Sequence, residues 1–141
     1  MTPQQVSQVQ ASFVKVAAIA DQAAALFYTR LFETAPETRA LFRGDMRVQG
    51  QKLMTALATV VNSLDKIEAI VPVTRDLARR HVAYGVEPGH YALVGAALLW
   101  TLERGLGNEF TPAVRAAWAA AYAALSELMI ASADPAPRQA P

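Results

Sequence analysis

Cysteine is absent from this chain of 141 residues. That absence removes disulfides, thiolate nucleophiles, cysteine-ligated zinc and iron–sulfur clusters together. An excess of one charge is also lacking. Thirteen Lys and Arg residues stand against twelve Asp and Glu, for a net charge of +1, and no basic run is longer than Arg79-Arg80. Such a balance is poor material for gripping a polyphosphate backbone, so no nucleic-acid partner is expected. The apolar run from Tyr91 to Trp100 is too short to span a bilayer. The N-terminus, MTPQQVSQ, is polar and has no apolar signal-peptide region. The expectation is a cytoplasmic protein with no membrane contact. There is no H-E-x-x-H, no G-x-S-x-G, no phosphate-binding glycine loop and no EF-hand loop. Histidine is scarce as well, with only His81 and His90.

Apolar residues are plentiful at 53%, ample for one core in a single domain. Their spacing is helical. Thr2-Pro3 supplies a cap followed by proline at the first helical position, and Val6, Val9, Phe13 and Val16 predict a helix over about 3–18. A second, over about 20–33, carries Ala24, Phe27, Tyr28, Leu31 and Phe32. Pro36 breaks it and starts a short helix ending near Phe42. Gly44 and Asp45 form a turn and cap for a long helix to about Ser63, with Leu53, Leu57, Val60 and Val61 on one face. Further helices are expected over about 70–83, 88–105 and 112–132, the first two separated by the turn YGVEPG. The tail ADPAPRQAP is proline-rich and expected to be disordered. No alternating strand pattern occurs, so the fold class is all-α.

Both histidines fall within RDLARRHVAYGVEPGHYALVG, residues 75–95, on either side of that turn. His81 shares a helix face with Leu77, four residues earlier. It is either a polar residue satisfied by backbone or a ligand. His90, beside Tyr91, reads as an ordinary polar residue. His81, His90 and Glu87 make a thin set for zinc, which wants three or four ligands. Gln49 heads the apolar face of Leu53 and Leu57, or merely marks where that face ends. Tyr28 sits among Ala24, Leu31 and Phe32, and a buried tyrosine needs a hydroxyl partner. Haem chemistry would use all of these together. It needs one imidazole on an apolar helix face, an aromatic wedge, an apolar slot and a few donors facing the open iron position. His81, Phe42, Tyr28 and Gln49 suit those roles from four segments. Without cysteine there is no C-x-x-C-H attachment, so a haem would be held non-covalently.

The segments LFYTRLFETAPETRALF (26–42), QGQKLM (49–54), DLARRHVAYGVEPGHYALVG (76–95) and AAWAAAYAALSELM (116–129) resemble bacterial single-domain globins and the globin half of flavohaemoglobins. The resemblance covers nearly the whole chain, from the first helix to about residue 132. It implies a globin fold over 1–132, a three-over-three helical sandwich around haem b, with 133–141 as a tail. It implies His81 as the proximal iron ligand, Phe42 packed on the haem, and Tyr28 and Gln49 on the distal side. Leu53 and Leu57 wall the pocket, and Leu77, Val86, Tyr91 and Val94 complete the cofactor-binding set. Lys52 and Arg80 are expected to pair with the propionates. His90 matches a position without a haem role. Where related proteins place a glutamate in the last helix to complete a polar relay with His81 and Tyr91, this chain has Ala133. The implied function is binding of O2, NO and CO, with NO dioxygenase-type detoxification when a separate reductase restores the haem. The alternatives are an O2-binding, storage or transport globin without turnover, and a gas sensor.

Overall fold

A computed structural model describes residues 1–66 and 71–133. From residue 134 the expected disordered tail lies outside the described residues. Thr2 and Gln5 open the first helix, α1 (Pro3–Ala17), as a reciprocal box. The Gln5 amide donates to the Thr2 hydroxyl at 3.1 Å, and the Thr2 amide donates to Gln5 Oε1 at 3.0 Å, satisfying two of the donors that a helix start leaves unpaired. The chain then bends by 100° into α2 (Ala20–Thr34). Pro36 ends that direction, and the short helix expected there is a 3-10 segment, Pro36–Leu41.

Asp45 caps α3 (Met46–Asn62) by accepting from the Arg47 amide at 2.9 Å. After the undescribed residues 67–70 comes α4 (Val71–Ala83), then α5 (Pro88–Leu106), a 3-10 turn (Gly107–Glu109) and α6 (Pro112–Ala133). The Val114 amide donates to the Thr111 hydroxyl at 3.2 Å where α6 begins. No strand occurs among the described residues.

The apolar faces predicted from spacing are the faces that pack. Val9, Phe13 and Val16 of α1, Phe27, Tyr28 and Leu31 of α2, Val60 and Val61 of α3, Leu98 and Leu102 of α5 and Trp118 of α6 form one buried cluster. Helix α2 packs on α5 and α3, while α6 packs on α4 and α1. The polar atoms inside this core are paired. Trp118 Nε1 donates to the Ser12 hydroxyl at 2.8 Å, and Ser12 in turn donates to the Gln8 carbonyl at 2.7 Å, joining α6 to α1. Gln10 donates to the Val61 carbonyl at 3.0 Å and fastens α1 to the end of α3.

Two glycines allow helices to close on one another. A Cβ on Gly50 would lie 2.9 Å from the Ala24 Cβ, and one on Gly95 would lie 2.7 Å from the Tyr122 ring. Among the described residues, Pro112–Ser132 is the one single helix long and apolar enough to cross a bilayer by length and composition. It packs on α4 and α1 and buries Ala117, Trp118, Ala121 and Met129, while its other residues through Ser132 are half-buried or exposed.

Candidate functional site

His81 lies in the last turn of α4, half-buried, and its ring is oriented by its own helix. Nδ1 stands 2.6 Å from the Leu77 carbonyl. A carbonyl only accepts, so Nδ1 carries the proton and donates it. The lone pair of the neutral ring then falls on Nε2, the arrangement a metal-binding imidazole requires. The backbone beyond is tied down too. The amides of Tyr84 and Val86 both donate to the His81 carbonyl, at 3.1 and 2.9 Å. Gly85 takes φ = +95°, which a side chain would strain, and so lets the chain reverse toward α5.

That reversal brings the Tyr91 ring alongside the imidazole, 6.4 Å away between centroids and inclined by 22°. Tyr91 is held from α6, because the Tyr122 hydroxyl donates to its carbonyl at 2.6 Å. Burial raises the Tyr122 phenol well above its ordinary value, and the nearby Tyr91 raises it further. Burial raises Tyr91 as well. His90 is occupied elsewhere, with Nδ1 accepting from the Glu87 amide at 2.9 Å at the start of α5. Among the described residues no three His, Asp or Glu side chains come together around a possible ion, so His81, His90 and Glu87 do not assemble into a zinc set.

The second cluster comes from α2, α3 and the connection between them. Tyr28 is only 7% exposed, and Gln49 Nε2 donates to its hydroxyl oxygen at 3.2 Å. The tyrosine accepts this bond, which leaves its own proton for another partner. Burial raises its phenol above the usual value, and the bond from Gln49 offsets part of that rise. Phe42 meets Tyr28 edge-on, 5.2 Å between centroids, and Phe32 at 5.6 Å. This aromatic packing fixes the Tyr28 ring.

The expected walls are apolar and half-buried: Leu53 and Leu57 on α3, Leu77 on α4, Val86 in the turn and Val94 on α5. In chemistry, half-buried apolar side chains from several elements, an imidazole with its Nε2 lone pair available and a tyrosine accepting from Gln49 are the donors and walls a haem would use. Of the two expected propionate partners, Lys52 is exposed, and Arg80 pairs with Asp76 at 2.7 Å.

Three contributors escaped the sequence reading. The Leu77 carbonyl is backbone and has no residue-type signal. Tyr122, four residues after Trp118, reads as core. Gly50 sits inside a helix, where glycine is costly without a packing reason, and its place next to Gln49 was the available clue.

The Globin family model matches residues 25–129. Curated relatives include a flavohemoprotein of Bordetella parapertussis, 38% identical over 107 residues, which are 74% of this chain and 27% of that protein. A flavohemoprotein of Deinococcus radiodurans is 32% identical over 133 residues, 92% of this chain and 33% of that protein. One from Bacillus subtilis is 30% identical over 107 residues, covering 74% and 27%. The chain thus spans about a quarter to a third of the length of these relatives.

Proposed function

This chain belongs to the globin family, and from that membership we propose a haem b protein that takes O2, NO or CO beside Tyr28 and Gln49 and converts NO to nitrate when a separate reductase serves it. Haem and gas binding come with the family. The finer reading is carried by one observation, the hydrogen bond from Gln49 to the Tyr28 hydroxyl. When bound, haem supplies an open iron position and one-electron chemistry.

The residues of the chain do the rest. His81 would hold the iron through Nε2, and the Leu77 carbonyl sets its tautomer and ring direction. Phe42, Leu53 and Leu57 keep water away. Tyr28, accepting from Gln49, keeps its proton to donate to a polarised diatomic ligand. A hydrogen bond of this charge-assisted kind contributes about 1.5–3 kcal/mol, which slows O2 release roughly ten- to hundredfold. So tight a hold suits conversion better than delivery. The overall reaction, NO plus O2 plus one electron giving nitrate, needs one electron each turnover. Relatives named flavohemoproteins carry a flavin by name, and a separate reductase is the proposed source here.

Stopped-flow O2 dissociation tests the distal assignment. Tyr28→Phe is expected to release O2 about ten- to hundredfold faster, and an unchanged rate overturns it. Turnover is tested by adding a flavin reductase and reduced nicotinamide, with nitrate expected mole for mole with NO consumed.

A second reading, reversible O2 binding without turnover, is favoured by the proximal side. His81 bonds a neutral carbonyl, and in the sequence Ala133 matches the position at which related proteins carry a glutamate. A single round of NO oxidation that added reductase does not renew would select it.

A further inference from the structure

The bond from Gln49 to Tyr28 joins two helices, so its length depends on how closely α3 lies against α2. A tight contact between the two helices lies one helical turn away. Ala24 precedes Tyr28 by four residues on the same face of α2, and Gly50 is the residue after Gln49 on α3. Both are buried, and a Cβ placed on Gly50 would stand 2.9 Å from the Ala24 Cβ. Carbon atoms rest at about 3.5–4.0 Å, so a methyl at position 50 must part the helices there by roughly half an ångström or more. The Gln49–Tyr28 bond is 3.2 Å long, already at the far end of the range for such bonds. It has little length to give. Ala24, Gly50 and Tyr28 also line an open groove of about 620 Å³ between α2 and the start of α3. The start of α3 borders open space on that side, so a shift of its first turns need not displace the buried Val60 and Val61 at its far end.

We infer that Gly50, seated against Ala24, is a positioning residue that sets the hydrogen bond between Gln49 and Tyr28 and, through it, the direction in which Tyr28 donates. The inference rests on the distal assignment of Tyr28 proposed above. Helix propensity alone would favour alanine over this glycine. A variant that gains helix stability and loses the distal bond would separate positioning from folding.

The test uses the haem-loaded protein and reads the infrared C–O stretch of its CO form, which responds to a donor beside the ligand and not to overall stability. Gly50→Ala is expected to move the stretch toward that of Gln49→Leu and to speed O2 release severalfold. The swapped variant Ala24→Gly/Gly50→Ala, which returns the space, is expected to restore both. Ala24→Ser, pressing from α2, should shift the stretch in the same sense should Gly50→Ala fold poorly. A crystal structure of haem-free Gly50→Ala should show the Gln49–Tyr28 separation beyond 3.5 Å. If Gly50→Ala keeps the parental stretch while Tyr28→Phe moves it, the inference is wrong and the distal assignment stands. If neither moves it, both fall.

Discussion

The imidazole at position 81 has one nitrogen assigned and one left over. The Leu77 carbonyl accepts the hydrogen bond from Nδ1 at 2.6 Å, and Nε2 keeps its lone pair, with no carboxylate bonded to the ring among the described residues. Replacing His81 with glycine should weaken haem retention by at least about tenfold, since even the partners of metal ligands carry effects of that size. Added imidazole, entering the space, should restore the Soret band. A variant that holds haem as before would remove His81 from the role of ligand. Residue types were legible in the sequence here. His81, Tyr28, Gln49 and Phe42 could be picked out because their chemistry is unusual on apolar faces. The Leu77 carbonyl could not, because every residue has one. Arg80, expected to pair with a propionate, lies 2.7 Å from Asp76, one turn earlier on the same helix. Two exposed partners at that spacing contribute only a few tenths of a kcal/mol.

Helices meet in this molecule through small residues and buried polar links. Gly95 of α5 faces the Tyr122 ring of α6 so closely that a methyl there would sit 2.7 Å from it. Gly95→Ala should therefore cost about 1–3 kcal/mol by overpacking, despite the better helix propensity of alanine, and a lowered denaturant midpoint would show it. The Tyr122 hydroxyl, 2.6 Å from the Tyr91 carbonyl, would be displaced with the ring. The link between α1 and α6 gives a second case. Ser12→Ala strips the acceptor from Trp118 Nε1, which is buried at 3% exposure. An orphaned buried donor costs about 1–3 kcal/mol, again measured by equilibrium unfolding. Helix positions were legible from spacing and from the caps at Thr2, Asp45 and Thr111, because these depend on neighbours in sequence. The contacts of Gly50 and Gly95 were not, because they depend on which helix lies opposite.

At the scale of the whole molecule, three tyrosines share one bias. Tyr28, Tyr91 and Tyr122 are each raised above the ordinary value of 10.0, in every case chiefly by burial. The unfolded chain gives up these protons first. Their contribution to stability is thus complete below about pH 10, diminishes as pH rises through the folded values, and is gone above them. Alkaline unfolding should be shallower with Tyr122→Phe than in the parent, since one group fewer then titrates differently in the two states. Denaturation followed between pH 9 and 12 measures the slope, and equal slopes would remove Tyr122 from the account. The all-α class, the helix order and the single core were all legible from composition and period. The 100° bend between α1 and α2 was not, because the sequence there lacks proline or glycine and the turn is imposed by what each helix packs against.

Trp118, sealed in the core against Ser12, has a surface counterpart of a different kind. The Arg30 and Arg104 guanidiniums lie 5.0 and 4.9 Å from the Trp100 ring centre, holding the indole by cation–π attraction between α2 and α5. The chain thereby carries two native fluorophores in unlike settings, one dry and neutral, the other flanked by positive charge. Their emission maxima should differ, and Trp100→Phe would leave a pure record of the interior. Iodide, drawn to the guanidiniums, should quench Trp100 first.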